Sequence, residues 1–162
     1  MVSVEERLQE IEAKLRYLEN LEVIRKRLGQ YCRALDAKDV KLMEPLFSQD
    51  IELSVIPWGF EFRGRQPVLE FYARAFLDSS STRHNYTNEH IEADGEGYKS
   101  FCYFHSTVEL TPHSLIGWGT YEDTLILEDG VWKFKKKVIT VLVLTPIDKG
   151  WAGPDKILPV HS

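Results

Sequence analysis

The half of the chain from His84 onward most narrowly constrains the fold. Its apolar residues recur with a period near two in four long runs: His84 to Ala93, Gly97 to Leu110, Leu115 to Leu127 and Val131 to Thr145. Such alternation marks strands with one buried face, because successive side chains point to opposite sides of a sheet. The runs are separated by Asp94-Gly95, Pro112-His113-Ser114 and Asp129-Gly130, connections short enough to demand hairpins. This half therefore reads as a long antiparallel meander. Gly117 and Gly119, inside the third run, allow it to bend or bulge.

Ahead of the meander the period is helical. Ser3 and Glu6 have the spacing of a capping box, and Val4, Leu8, Ile11, Leu15 and Leu18 follow at four-three-four-three intervals. So narrow an apolar seam should dock on something, such as a second subunit. A second stripe of Leu21, Ile24, Leu28, Tyr31, Cys32 and Leu35 is rotated from the first, which places a bend near Glu19 to Leu21. Asp39 is placed to cap a short helix through Leu46. Ile51 to Ile56 and Phe60 to Phe62 read as a hairpin around Pro57-Trp58-Gly59, and Gly64-Arg65-Gln66-Pro67 introduces a third helix carrying Val68, Phe71, Tyr72, Ala75 and Phe76. Helices first and strands after give an α+β domain, with a curved antiparallel or mixed sheet wrapped around three or four helices. One domain is expected over residues 1–162, with residues 1–20 as a helical extension and 146–162 as an irregular tail folded over the domain or a neighbour.

A net charge of −5 provides no broad positive field for phosphate backbones, so nucleic acid is not an expected partner. The start of the chain has no basic segment leading into an apolar run, and Val138 to Leu144 is far shorter than the roughly 20 residues a spanning helix needs. The expectation is a cytoplasmic protein without a membrane partner. Cys32 and Cys102 lack Cys-x-x-Cys spacing, and His84, His90, His105, His113 and His161 are scattered without a His-Glu-x-x-His, so neither a disulfide framework nor a metal site is read.

Two titratable residues stand out. An imidazole held by a carboxylate is a ready proton-transfer base near neutral pH, and Asp36 and His84 are the candidates. On a helical wheel Tyr31 falls roughly 60° to one side of the second stripe and Asp36 roughly 80° to the other, so each can look into a cavity that this helix roofs. A carboxylate near a helix C-terminus opposes the dipole and calls for a partner.

The ordered set Tyr31-Cys32-Arg33-Ala34-Leu35-Asp36-Ala37-Lys38-Asp39, Leu46-Phe47-Ser48-Gln49-Asp50, Phe62-Arg63-Gly64-Arg65, His84 with Asn88, Gly119-Thr120-Tyr121-Glu122-Asp123 and Asp129-Gly130-Val131-Trp132-Lys133-Phe134 resembles the SnoaL-like branch of the nuclear transport factor 2-like superfamily. The resemblance covers roughly residues 20 to 145. It implies a cone-shaped α+β barrel around an apolar pocket. The members it looks most similar to are scytalone dehydratase, bile-acid dehydratase and hexachlorocyclohexane dehydrochlorinase, which eliminate without a cofactor. Carried over by motif, the base is His84, the orienting aspartate Asp36 and the hydroxyl donor Tyr31. Where the bile-acid enzyme has a further carboxylate, this chain reads Phe104-His105-Ser106, and Lys135-Lys136-Lys137 replaces an arginine.

These residues set the expectations for function. The reading is a cofactor-independent lyase of dehydratase type, or an isomerase, acting on a hydrophobic cyclic molecule. Asn88, His105, Trp58, Trp118 and Phe76 are the candidate substrate-binding residues. The alternatives for them are a structural role for Asn88, an outward-facing His105, and a plain core for the aromatics. One of Lys135 to Lys137 must point inward if no bulge intervenes. The resemblance also implies a homodimer or homotrimer. The competing functions are a non-catalytic binding or assembly subunit, such as a ring-hydroxylating dioxygenase β-subunit, and a polyketide cyclase or epoxide hydrolase.

Overall fold

The computed structural model describes residues 2–158; His161, the other residues beyond 158 in the expected tail, and Met1 lie outside the described residues. The first helix, α1, runs without interruption from Val4 to Ala37. Ser3 caps it as a capping box: the Ser3 hydroxyl accepts from the Glu6 N–H at 3.1 Å, and a Glu6 carboxylate oxygen accepts from the Ser3 N–H at 2.7 Å. The bend expected near Glu19 to Leu21 is absent. No glycine or proline falls between Val4 and Leu28 to break the hydrogen-bond ladder. The rotated stripe has another cause: Leu21 and Ile24 onward pack on the domain, whereas Val4, Leu8, Ile11, Leu15 and Leu18 are exposed.

Lys38 ends α1 in the left-handed conformation (φ 52°), its N–H returning to the carbonyls of Ala34 and Leu35. Asp39 then caps α2 (Val40–Met43) by accepting from the Lys41 N–H at 2.8 Å, and a single 3-10 turn over Glu44–Leu46 leads into the sheet. Helix α3 covers Arg65–Ala75.

Six strands form one mixed sheet: β1 (Phe47–Ile56), β2 (Phe60–Arg63), β3 (Ser81–Asp94), β4 (Gly97–Leu110), β5 (His113–Glu128) and β6 (Val131–Pro146). Their order is β2-β1-β6-β5-β4-β3, with β1 parallel to β6 and every other pair antiparallel. The sheet is curved and open, with β2 and β3 as its edges, and with the helices it makes the α+β cone that the resemblance implies. The curvature comes from bulges, which bend a strand and increase its twist. On β3, Asn88 and Glu89 stand opposite Cys102 alone; on β6, Leu142 and Lys135 are the extra residues. Gly119 sits at the Leu142 bulge, where a Cβ would lie 1.9 Å from the Thr140 carbonyl oxygen, so only glycine permits that close approach. The β5–β6 hairpin turns on Asp129 (φ 54°) and Gly130 (φ 74°), the left-handed pair of a type I′ turn.

The core lies between the concave face of the sheet and the helices. Ile24, Leu28 and Tyr31 of α1 meet Phe47, Leu53, Leu125 and Phe134 there. No helix of the described residues is long and apolar enough to cross a membrane.

Candidate functional site

The core is not filled at one end. Between the last turns of α1, helix α3 and the concave faces of β3 to β6 lies a cavity of about 540 Å³, lined chiefly by apolar side chains that include Leu35, Phe76, Phe104, Val108, Leu115 and Val141. It is large enough for a drug-sized ligand. Its tail-side wall comes from chain beyond β6. Ile157 bridges to Leu144, the Leu158 N–H donates to the Leu144 carbonyl at 2.9 Å, and the Trp58 indole N–H donates to the Leu158 carbonyl at 3.1 Å. The expected tail thus folds over its own domain as far as it is described.

Beside Asp78, Ser79, Thr82, Ser106 and three tyrosines, the wall carries one imidazole, that of His84. It lines the cavity from β3, while Asp36, from the last turn of α1, stands behind it. Asp36 Oδ1 accepts from the His84 Nδ1–H at 2.9 Å and from the His84 backbone N–H at 2.9 Å. An oxygen that accepts both places the imidazole proton on Nδ1, so Nε2 carries the free lone pair. Both side chains are largely enclosed, with 16% and 23% exposure. Burial moves the His84 pKa below its ordinary 6.5, and the hydrogen bond and charge of Asp36 oppose that shift without cancelling it. The ring is therefore neutral at physiological pH and able to take a proton.

Tyr31 faces the same cavity one turn earlier on α1 and is buried. Its hydroxyl lies 2.8 Å from that of Tyr72 on α3. Burial, followed by the neighbouring Tyr72 and Tyr121, raises the Tyr31 pKa well above the usual phenol range, so it remains a proton donor. The pair can present one O–H to a ligand while the other O–H stays between them. Tyr31 is also a packing hub, meeting Phe47, Tyr72, Tyr121 and Phe134 edge-on.

Trp58 and Phe76 line the cavity as expected. Three other expected ligand contacts do not. The bulge in β3 puts Asn88 into the left-handed region (φ 55°) on the exposed surface, because the strand is not regular between Thr87 and His90. His105 is exposed on the convex face, since its neighbours Phe104 and Ser106 take the inward positions. Trp118 also faces outward, opposite His105 in register, and packs edge-on against Trp151 at 5.0 Å.

The lysine run resolves through the same geometry. Trp132 and Phe134 point inward; the bulge at Lys135 switches the parity, so Lys137 rather than Lys136 follows them into the core. Lys135 pairs with Asp50 at the surface and Lys136 is exposed. Lys137 is fully buried, 2.8 Å from Asp123, and its ammonium lies 4.0 Å from the centre of the Tyr31 ring and 4.5 Å from that of Tyr121. Burial pushes the Asp123 pKa up and Lys137 pulls it back. None of the three lysines lines the cavity.

Tyr72 and Ser106, which line the cavity, were not singled out from sequence as parts of the site. The signal for Tyr72 was present: a hydroxyl in an otherwise apolar helical stripe needs a buried partner. Among the described residues, no three His, Cys, Asp or Glu side chains converge as a metal set would.

The fold is shared with solved structures of low sequence identity. A proposed scytalone dehydratase from Novosphingobium aromaticivorans is 23% identical, the match covering 80% of this chain and 89% of that one with a TM-score of 0.74. A hexachlorocyclohexane dehydrochlorinase is 19% identical, with 89% and 99% covered and a TM-score of 0.77. A proposed aromatic ring hydroxylase from Novosphingobium aromaticivorans is 19% identical, with 80% and 94% covered and a TM-score of 0.73. No curated protein matches this chain in sequence. The family model for the SnoaL-like domain matches residues 16–138, a span that contains Tyr31, Asp36, Tyr72, His84 and Lys137, and the chain belongs to the SnoaL-like family.

Proposed function

We propose that this protein is a cofactor-independent lyase of dehydratase type, or an isomerase, acting on a hydrophobic cyclic molecule. The observation that carries the proposal is the His84 imidazole at the wall of an apolar cavity, with Asp36 hydrogen-bonded to its Nδ1. In the elimination, Nε2 of His84 takes a proton from a C–H acidified by a neighbouring carbonyl. The C–H electron pair becomes the new π bond, and the leaving group departs with its own bonding pair. Asp36 stabilises the imidazolium formed and keeps the ring in register. The Tyr31–Tyr72 pair donates one O–H to the carbonyl or to the departing oxygen, where a donor in a dry site is most effective. In an isomerisation the proton on His84 returns to another carbon instead. The dehydratase and dehydrochlorinase neighbours support this class of chemistry.

The test is turnover of cyclic β-hydroxy ketones, followed by the ultraviolet absorbance of the conjugated product. Activity that disappears in His84→Ala and is retained in His105→Ala is the expected result. Full activity in His84→Ala would falsify the mechanism, and saturable binding without turnover would favour the binding-subunit reading.

A further inference from the structure

The amphipathic seam at the start of α1 has no cover within the described chain. Val4, Leu8, Ile11, Leu15 and Leu18 are 54% to 85% exposed, although they form one continuous apolar line. The domain engages α1 only from Tyr17 onward. Tyr17 packs on Tyr98, and Asn20 accepts from the Trp132 indole N–H at 3.0 Å. At 3.6 residues per turn, the centre of the seam lies roughly 150° around the helix from the centre of the core-facing stripe. The overhanging half of α1 thus turns its apolar line away from its own domain.

The charges beside the seam identify what can lie against it. In heptad terms Leu8 and Leu15 occupy a, while Val4, Ile11 and Leu18 occupy d. The e positions are then Glu5, Glu12 and Glu19, and the g positions are Arg7 and Lys14. Parallel helices pair g of one chain with the following e of the other, here Arg7 with Glu12 and Lys14 with Glu19, all attractive. Antiparallel helices pair g with g and e with e, here basic with basic and acidic with acidic. We infer that the first half of α1 associates in parallel with the same segment of a second copy of this chain. Each domain, held on the far side of its own helix, then lies outside the seam and leaves it free to close. A seam of this length is short for an isolated coiled coil, but it extends a helix already anchored to a folded domain, so helix nucleation is not an added cost.

The test uses the whole protein and two charge variants. Arg7→Glu/Lys14→Glu makes every g–e pair acidic, and Glu12→Lys/Glu19→Lys makes every g–e pair basic. The expected result by light scattering at micromolar chain concentration is an oligomeric wild type, a weaker assembly for each variant alone, and a mixed oligomer when the two are combined. Circular dichroism should match the wild type, because every substituted residue is on the surface. Val4→Cys reads the direction: parallel helices place the two residue-4 side chains face to face and give a disulfide-linked dimer on mild oxidation, whereas antiparallel helices hold the two residue-4 side chains at opposite ends of the seam. A monomeric wild type, an oligomer that charge reversal leaves unchanged, or a Val4→Cys protein that stays uncrosslinked would each overturn the inference. None of these outcomes bears on the chemistry of His84.

Discussion

Asp36 holds His84 twice through a single oxygen, once by the imidazole Nδ1–H and once by the backbone N–H, both at 2.9 Å. The backbone bond locks the residue to the end of α1, and the ring bond sets the tautomer. Replacing Asp36 by Asn keeps an acceptor but removes the charge that steadies an imidazolium. We expect Asp36→Asn and His84→Ala each to lower kcat/KM by roughly 10²–10⁴-fold with little change in secondary structure. Steady-state kinetics and circular dichroism check both points.

The position of the acid limb follows from the same pair. The His84 pKa is below 6.5 in the folded protein because burial outweighs Asp36. The folded state therefore binds fewer protons than the unfolded one in this range. His84 costs no stability above the unfolded value near 6.5 and costs progressively more as pH falls through the folded value. Activity should likewise fall on the acid side with a midpoint below 6.5. In Asp36→Asn the opposing effect is gone, so the His84 midpoint should drop further. An NMR titration of the imidazole in both proteins measures it, and a midpoint above 6.5 would show that the charge of Asp36 outweighs burial.

Tyr31 and Tyr72 should behave as one unit. Tyr31→Phe or Tyr72→Phe leaves the other hydroxyl buried without its partner, an expected loss of about 1–3 kcal/mol. The double substitution removes both polar groups and should cost clearly less than the sum of the two. A double-mutant cycle in urea unfolding gives the coupling directly.

The Lys137–Asp123 pair makes a stronger prediction of the same form. Lys137→Met strands a buried carboxylate and should destabilise the protein by about 3–5 kcal/mol. Asp123→Leu added to Lys137→Met should recover much of that loss, since no charge is then left in the core. Chemical denaturation of the single and double variants decides it; an additive double variant would mean that the two charges are not coupled.

Much of the fold was legible because it rests on local signals. The four long strands, the hairpin around Trp58, the Ser3 capping box and the Asp39 cap all follow from periodicity, turn chemistry and capping, which act over a few residues. The bend expected in α1 shows the limit of that reading. A change of stripe records a change of neighbour, and the same signal arises from a kinked helix or from a straight one that leaves its domain halfway along.

At the candidate site the division is sharper. Residue types alone marked Asp36, His84 and Tyr31 as able to do proton chemistry, and the family motifs implied that they meet at one pocket. Which other side chains share that wall depended on bulges in β3 and β6. One extra residue reverses the facing of every side chain beyond it, and period counting cannot detect it. Those bulges sent Asn88 to the surface and turned Lys137 inward, while unbroken alternation across β4 and β5 left His105 and Trp118 on the convex face. Sequence determined the helices, the strands and the chemistry available; only the packed sheet, whose register is set across strands distant in the chain, decided which groups meet around the cavity.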